Sequence, residues 1–204
     1  MEAKRILLLA NEYTTILNFR MELIRALNAD GHKVFAAIPH DENNIDIEAA
    51  GCTIVNFDVS RKGTNPLKEI KVIKQVKFII DIIKPDIVFT FTIKPNVYGG
   101  IVCAKKKIPY VANITGLGTA IESGGIMQKI GLSLYKKGLK RAQKVFFQNI
   151  ENRDFMLNHQ VVTGAYDLLP GSGVNLDRYH ILPYPVGNEI NFMYLARVMK
   201  EKGI

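Results

Sequence analysis

Two cations near the end of the sequence have a spacing that suits a phosphate grip. Arg197 and Lys202 follow the apolar run of residues 191–196 and stand beside Gly203. An apolar run of this length between polar residues predicts a buried strand. A guanidinium and an ammonium group in the loop after such a strand could hold a phosphate at the carboxyl end of a parallel sheet.

An earlier segment, residues 92–100, combines a lysine, a proline and an asparagine in a way that also suits an anion. Pro95 can occupy the first turn of a helix. Lys94 and Asn96 would then flank the amino terminus of that helix, where backbone N–H groups attract negative charge. Helix capping beside a solvated lysine explains the same residues equally well.

Two further loops differ in their glycine content, and only the loop that contains glycine suits close contact between its backbone and a ligand. Residues 113–122 contain Gly116 and Gly118 after Thr115. These glycines would let backbone amides approach a ligand, although taken alone they are better explained by a plain turn. Residues 11–15 contain no glycine. A dinucleotide site needs G-x-G-x-x-G at that place, so NAD or FAD binding is disfavoured.

Short continuous apolar runs alternate with helical periodicity along the chain. Predicted strands cover residues 5–10, 33–38, 52–57, 86–91, 110–114 and 145–148, and predicted helices cover residues 16–30, 66–84, 96–107 and 127–144. Continuous rather than alternating apolar strands favour a parallel sheet with helices on both faces. The sequence therefore predicts an α/β fold with a Rossmann-like doubly wound parallel sheet. This domain is expected over residues 1–182, a linker over 183–190, and the first strand of a second domain within 191–204.

Composition places the chain among soluble globular proteins. Its 204 residues are 48% hydrophobic and carry a net charge of +8. No apolar stretch reaches the roughly 18 residues that span a bilayer, and the start does not resemble a secretory leader. Cys52 and Cys103 lack metal-ligand spacing, so we expect a reduced cytosolic environment and no metal.

The positive charge is concentrated in the middle of the chain, as in a surface that faces an anion. Residues 61–107 hold eleven Lys or Arg against three Asp or Glu. One arc of the predicted helix 127–144 holds Lys129, Lys136, Lys137, Lys140, Arg141 and Lys144. This arc is either a solvated outer face or a surface that docks on an anionic membrane leaflet. Binding to nucleic acid is disfavoured, because few aromatic residues are interleaved with the lysines and no recognised motif is present.

Four motifs, taken together and in order, resemble a family 4 glycosyltransferase of the GT-B fold. They are T-I-K-P-N-x-Y-G-G, I-T-G-L-G-T-A-I-E, G-S-G-V-N-L-D-R-Y and A-R-V-M-K-E-K-G. The similarity is to members that build bacterial polysaccharides and glycans on a lipid diphosphate. It implies that the amino-terminal domain holds the acceptor, that a second domain holds the nucleotide sugar, and that a retaining transfer takes place in the cleft between them.

The resemblance also implies roles for individual residues. Arg197 and Lys202 would contact the donor diphosphate and stabilise the leaving group without a metal or other cofactor. The implied acceptor-side residues are Asn11, Lys94, Asn96, Thr115, Gly116 and Gly118. No catalytic histidine carries over, because the places that hold one in many relatives are occupied by Phe91 or Thr92 and by Thr115.

The expected partners are a nucleotide-sugar donor, a lipid-diphosphate glycan or polysaccharide acceptor, and an anionic membrane surface. The chain is accordingly expected to be cytoplasmic and peripherally associated with the inner face of the cell membrane. The paired-glutamate motif that holds the donor sugar belongs to a second half that this sequence lacks, so transfer by this chain alone is not expected. The alternative is a non-catalytic acceptor-binding and membrane-binding half that pairs with a separate donor-domain chain.

Overall fold

A seven-stranded parallel sheet forms the centre of the protein. The computed structural model describes residues 2–41, 44–59, 66–118, 121, 124–177, 179–187, 190 and 192–196. The strands are β1 (Arg5–Leu9), β2 (Lys33–Ile38), β3 (Cys52–Asn56), β4 (Ile87–Phe91), β5 (Tyr110–Ile114), β6 (Lys144–Phe147) and β7 (Tyr166–Leu168). They lie in the order β3-β2-β1-β4-β5-β6-β7. The strand order therefore reverses between β1 and β4, which is where ligands bind in open α/β sheets.

Helices cover both faces of the sheet, as the sequence predicts. They are α1 (Tyr13–Leu17), α2 (Met21–Ala29), α3 (Ile45–Ala49), α4 (Pro66–Ile83), α5 (Gly100–Lys106), α6 (Gly125–Leu139) and α7 (Ile150–Asn158). A π-helical turn, Pro95–Gly99, leads directly into α5. Helices α1 to α3 pack on one face and α4 to α7 on the other. The doubly wound, Rossmann-like α/β fold is thus confirmed.

The apolar run of β1 shows why hydrophobic and polar residues do not alternate along the strands. Leu7 and Leu9 belong to the core on the α4–α7 face, whereas Ile6 and Leu8 belong to the core on the α1–α3 face. All four side chains are buried. Burial of each such side chain contributes about 1.5–3 kcal/mol, so a strand with helices on both faces gains from apolar residues at every position.

The structure corrects two of the predicted elements. The helix predicted over residues 16–30 is broken at Asn18–Arg20, because Arg20 has a non-helical backbone with φ −135° and ψ 4°. The helix predicted over residues 127–144 ends at Leu139, and Lys144 is the first residue of β6. The chain must leave the helix there to return to the sheet.

Two glycines allow α5 and α6 to cross at backbone contact. A Cβ atom on Gly100 would lie 2.0 Å from the carbonyl oxygen of Gly138, and one on Gly138 would lie 2.6 Å from the Cα atom of Val97. The Tyr110 hydroxyl donates a hydrogen bond of 2.7 Å to the same Gly138 carbonyl. It also accepts one of 3.2 Å from the backbone N–H of Arg141. The contact holds α6 against the π-helical turn.

The chain divides into a compact unit, Met1–Gly173, and a second unit, Val174–Ile204. The described part of the second unit contains no helix and no strand. The strand predicted over residues 191–196 is therefore wrong for the described residues 192–196, where Phe192 is 95% exposed. A parallel strand needs a neighbour to complete its hydrogen bonds, and the described residues supply none there. The predicted domain limits at 182 and 190 stay predictions.

Among the described residues, no helix has both the length and the apolar character required to cross a membrane.

Candidate ligand site at the carboxyl edge of the sheet

The loops after β1, β4 and β5 all leave the sheet at its carboxyl edge, around the point where the strand order reverses. Asn11 follows β1, Thr92 follows β4 and Thr115 follows β5. Thr92 has a φ of 72°, in the left-handed region. A β-branched residue adopts this conformation only under strain, and such strain is concentrated at functional sites.

Lys94 lies in this region, but its charge is already paired. Its Nζ is 2.7 Å from Oε1 of Glu69, and the two side chains are only 13% and 12% exposed. Burial, followed by the nearby Glu69 carboxylate, raises the pKa of Tyr98. The acceptor role of Lys94 stays a prediction, and a ligand would have to compete with Glu69 for its charge.

Asn96 holds the site together rather than facing it. Its side chain is buried, its Oδ1 accepts a hydrogen bond of 2.7 Å from Thr90, and its Nδ2 donates one of 3.0 Å to the carbonyl oxygen of Asn113. These bonds tie the π-helical turn to β4 and β5. The acceptor role of Asn96 stays a prediction, and an acceptor would have to share polar atoms that already bond to Thr90 and Asn113.

The two glycines after β5 differ in what surrounds them. A Cβ atom on Gly116 would meet nothing within 4 Å. Gly118 has a φ of +79°, and a Cβ atom there would lie 2.6 Å from Cδ1 of Ile93. Gly118 is therefore required by the turn, whereas Gly116 borders open space beside the exposed Thr115. Of the two, Gly116 is the glycine that a ligand can approach.

Two buried amide oxygens at this edge have no hydrogen-bond partner among the described residues. They are Oδ1 of Asn11 and Oδ1 of Asn113. A buried polar atom without a partner costs about 1–3 kcal/mol, so such atoms mark places where a ligand or water completes the bonding. Asn11 is among the residues predicted from the sequence, and Asn113 is not.

Arg20 is a further residue of this edge that the sequence analysis missed. It is 6% exposed, and its guanidinium carbon lies 4.5 Å from the centre of the Phe91 ring. Its Nη1 donates to the carbonyl oxygen of Phe19 at 2.6 Å and to the Ser172 hydroxyl at 3.3 Å. Burial lowers the pKa of Arg20. A signal was available, since Ile16, Arg20 and Ile24 share the i, i+4 spacing of one buried stripe.

The loop that carries Ser172 crosses the same edge from β7. Gln148, which follows β6, donates a hydrogen bond of 3.0 Å from Nε2 to the Ser172 hydroxyl. The hydroxyl is therefore bonded both to Gln148 and to Arg20. The segment after β7 that contains Gly171 and Gly173 thus brings a side chain to the candidate site.

The predicted basic arc is shorter than expected. Lys129, Lys136 and Lys137 are exposed on α6, while Lys140 and Arg141 follow its last residue. Lys144 does not belong to the arc. It lies in β6, 2.9 Å from Oδ2 of Asp167 and 5.2 Å from the centre of the Phe146 ring.

The first turns of α6 expose apolar side chains beside Lys129. Ile126 is 77% exposed, Met127 43% and Ile130 48%. Because α6 follows β5, these turns lie toward the carboxyl edge of the sheet and its last turn lies toward the amino edge. Arg197 and Lys202, the predicted donor contacts, lie outside the described residues.

Comparison with known proteins decides the family. A sequence model of the family described as glycosyl transferase 4-like matches residues 5–149 of this chain. The chain belongs to the glycosyl transferase 4-like family. The matched residues include β1 to β6 and the loops after β1, β4 and β5, which confirms the resemblance drawn from the motifs.

A curated relative supports a narrower comparison. The chain is 28% identical over 180 residues to N,N'-diacetylbacillosaminyl-diphospho-undecaprenol alpha-1,3-N-acetylgalactosaminyltransferase of Campylobacter jejuni subsp. jejuni serotype O:2. The match covers 86% of this chain and 48% of the relative. The chain thus spans about half the length of the curated relative that it matches.

Solved structures support the fold at low sequence identity. HepE of Anabaena in complex with UDP superposes with a TM-score of 0.60 at 14% identity, over 88% of this chain and 47% of its own. A glycosyltransferase from Rickettsia africae gives a TM-score of 0.58 at 15% identity, over 88% and 46%. A putative UDP-N-acetylglucosamine 2-epimerase from Listeria monocytogenes gives 0.57 at 15% identity, over 78% and 43%. Transferases and an epimerase share this architecture, so the fold alone does not distinguish the two reactions.

Proposed function

We propose that this chain is the acceptor-binding domain of a retaining glycosyltransferase. The enzyme moves a sugar from a nucleotide-sugar donor to a lipid-linked or polysaccharide acceptor at the cytoplasmic face of the membrane. The observation that carries the proposal is the family match over residues 5–149, which covers the loops around the reversal of strand order. The name of the Campylobacter relative describes a transferase that acts on a diphospho-undecaprenol-linked sugar, which supports the choice of a lipid-linked acceptor.

The acceptor side of the proposal rests on three residues at the carboxyl edge. Oδ1 of Asn11 is buried and has no hydrogen-bond partner in the described part of the chain, so it can accept a hydrogen bond from a sugar hydroxyl. Thr115 is exposed, and Gly116 borders open space. An amide oxygen, a hydroxyl and an accessible backbone are groups that bind polyols through several neutral hydrogen bonds.

The donor side of the proposal rests on sequence. Arg197 and Lys202 would hold the diphosphate of the nucleotide sugar and stabilise the negative charge that develops on the leaving nucleoside diphosphate. This arrangement needs no metal. The transfer also needs the rest of a donor domain.

Membrane association is proposed from the surface of α6. Ile126, Met127 and Ile130 are apolar and exposed, and Lys129 stands among them. Apolar side chains among basic ones suit insertion at the lipid interface, where each basic residue contributes about 1 kcal/mol near an anionic surface. These turns lie toward the same edge as the acceptor loops, so docking there would bring a lipid-linked acceptor close to the site.

The alternative proposal is a non-catalytic half that binds acceptor and membrane and works with a separate donor-domain chain. Co-purification from the native cell distinguishes the two. An associated chain with a paired-glutamate motif supports the alternative, whereas sugar transfer by the purified chain alone contradicts it.

Acceptor binding is tested with farnesyl-diphosphate-linked N-acetylglucosamine and saturation-transfer NMR. We expect the sugar ring protons to receive saturation from the wild-type chain and to lose it with Gly116→Leu. Gly164→Leu is the matched control, because Gly164 also borders open space but precedes β7, at the opposite edge of the sheet. Equal signals from both variants would contradict the proposed acceptor site.

Membrane docking is tested by flotation with vesicles that contain anionic phospholipid. We expect Ile130→Asp to reduce flotation and added salt to weaken it further. Ile45→Asp serves as the control, because Ile45 is 72% exposed and lies on α3, on the opposite face of the sheet. If neither substitution changed flotation, the proposal that α6 is the docking surface would be contradicted.

A further inference from the structure

We propose that Arg20, together with Asn113 and Ser172, binds the phosphoryl group of a sugar-phosphate substrate at the carboxyl edge of the sheet. The inference rests on the proposed function and adds to it an anion site that is distinct from Arg197, Lys202 and Lys94. Three features of the described residues carry it: a buried cation that pairs with none of their carboxylates, an amide oxygen on the same face of the sheet that has no partner among them, and a hydroxyl that links two loops across the edge.

The state of Arg20 is the first step. The residue is 6% exposed, and no carboxylate of the described residues forms an ion pair with it. Within the described part of the chain, Nη1 makes both hydrogen bonds of this side chain, while Nε is buried without a partner. Burying a charge without a counter-ion costs several kcal/mol. A guanidinium group that still has N–H donors available matches the oxygens of a phosphate in geometry and in charge.

The position of Asn113 is the second step. Asn113 is the register partner of Phe91 in β4 and of Phe146 in β6. Register partners in neighbouring strands project to the same face of a sheet, and Arg20 lies over the ring of Phe91. The two side chains therefore share the α1–α3 face at its carboxyl end. Oδ1 of Asn113 is buried, and no described residue forms a hydrogen bond with it.

The chemistry of the ligand follows from this pair. Arg20 can only donate hydrogen bonds and carries positive charge, so it fits a phosphoryl oxygen. Oδ1 of Asn113 can only accept, so it fits a hydroxyl and not an ionised phosphate. A sugar phosphate provides both groups. The Ser172 hydroxyl, held by Gln148 and Arg20, can turn its proton toward the same oxygen.

Two substrates of the proposed reaction contain a sugar diphosphate, and titrations distinguish them. Farnesyl-diphosphate-linked N-acetylglucosamine stands for the acceptor, UDP-N-acetylglucosamine for the donor, and inorganic pyrophosphate for the anion alone. Calorimetry compares the wild-type chain with Arg20→Met. The matched control is Arg25→Met, because Arg25 lies in the adjacent helix with a side chain that is 58% exposed.

We expect Arg20→Met to weaken binding of pyrophosphate and of one sugar diphosphate about tenfold or more, the factor for one charge-assisted hydrogen bond. Arg25→Met should change binding less than twofold. Weaker binding of the farnesyl compound assigns Arg20 to the acceptor, and weaker binding of the UDP-sugar assigns it to the donor. Either result supports the site.

A measurement on the wild-type chain covers the case in which Arg20→Met does not fold. The Nε–H resonance of Arg20, assigned with Arg20→Lys, should shift as pyrophosphate is added, while that of Arg25 should not. No shift and no pyrophosphate binding would overturn the inference. Pyrophosphate binding that depends on Arg20, without binding of either sugar diphosphate, would keep the anion site and contradict the proposed function instead.

Discussion

Lys94 and Arg20 are both cations near the carboxyl edge of the sheet, the first partly buried and the second buried, and their surroundings differ. Lys94 lies 2.7 Å from a carboxylate oxygen of Glu69. Arg20 lies over an aromatic ring and donates to a carbonyl and a hydroxyl, without a carboxylate among the described residues. The position of a cation in the fold thus does not by itself show whether its charge is available to a ligand. Only the neighbouring side chains show whether that charge is already neutralised.

The largest expected effect on stability comes from breaking the ion pair between Lys94 and Glu69. Glu69→Gln leaves the Lys94 ammonium buried without a counter-ion and should lower the free energy of unfolding by about 3 kcal/mol, measured by urea denaturation. The double variant Glu69→Gln with Lys94→Met removes both charges and should recover more than half of that loss. A single variant that loses less than about 1 kcal/mol would show that the pair is solvated rather than buried.

A smaller effect is expected when the unpaired cation is removed. Arg20→Met loses the contact with Phe91, worth about 2 kcal/mol when desolvated, but also removes the cost of a buried charge. The free energy of unfolding should therefore change by less than about 1 kcal/mol in either direction. Urea denaturation measures it under the same conditions as Glu69→Gln. A loss as large as that of Glu69→Gln would mean that the guanidinium stabilises the fold and would remove the contrast.

The exposed pair Lys144–Asp167 should give the smallest effect. The hydrogen bond from Lys144, followed by that from the backbone N–H of Leu168, lowers the pKa of Asp167. A carboxyl whose pKa is lower in the folded state stabilises the fold above its unfolded pKa and loses that contribution as pH falls through its folded pKa. Asp167→Asn should therefore reduce stability slightly at neutral pH and flatten the decline in acid.

Urea denaturation at a series of pH values from neutral to about 3 covers this range. Asp154→Asn is a suitable control, because its carboxylate pairs with its neighbour Arg153 at 2.8 Å and joins no two strands. If Asp167→Asn lost as much stability as Glu69→Gln, solvent exposure would not explain the expected difference between the Lys144–Asp167 and Lys94–Glu69 pairs.

The fold was largely predictable because buried parallel strands have a strong local signal. The predicted bounds of β2 and β5 agree with Lys33–Ile38 and Tyr110–Ile114. Glycine or proline precedes each run, and continuous burial selects apolar residues along it. By contrast, β7 is three exposed residues that are held by pairing with β6. Such a strand has no hydrophobic pattern of its own, so it was missed.

The short helices were missed for a related reason. In α7 only Met156 is buried, so its apolar residues do not form a helical stripe. Helix α3 spans only Ile45–Ala49, with Ile47 as its buried residue. A single buried side chain gives no periodicity that a sequence could display.

The site was only partly predictable, because the decisive contacts are distant in sequence. The position of Asn11, Lys94 and Thr115 at one edge follows from the order of the elements. That Glu69 neutralises Lys94 depends on a helix that precedes it by 25 residues. The contact between Arg20 and Ser172 spans 152 residues. Neither spacing leaves a local pattern.

The crossing of Gly100 and Gly138 constrains how this sequence can evolve. A methyl group at either position would meet backbone atoms, at 2.0 Å or 2.6 Å, and a backbone cannot move aside as a flexible side chain does. Displacing the π-helical turn would also pull Asn96 away from Thr90 and Asn113. Homologues that keep this crossing while changing their substrate should therefore vary in the loops of the carboxyl edge and retain glycine at both positions. An alignment of homologues would test this expectation without any assay, because it would show whether both glycines are retained.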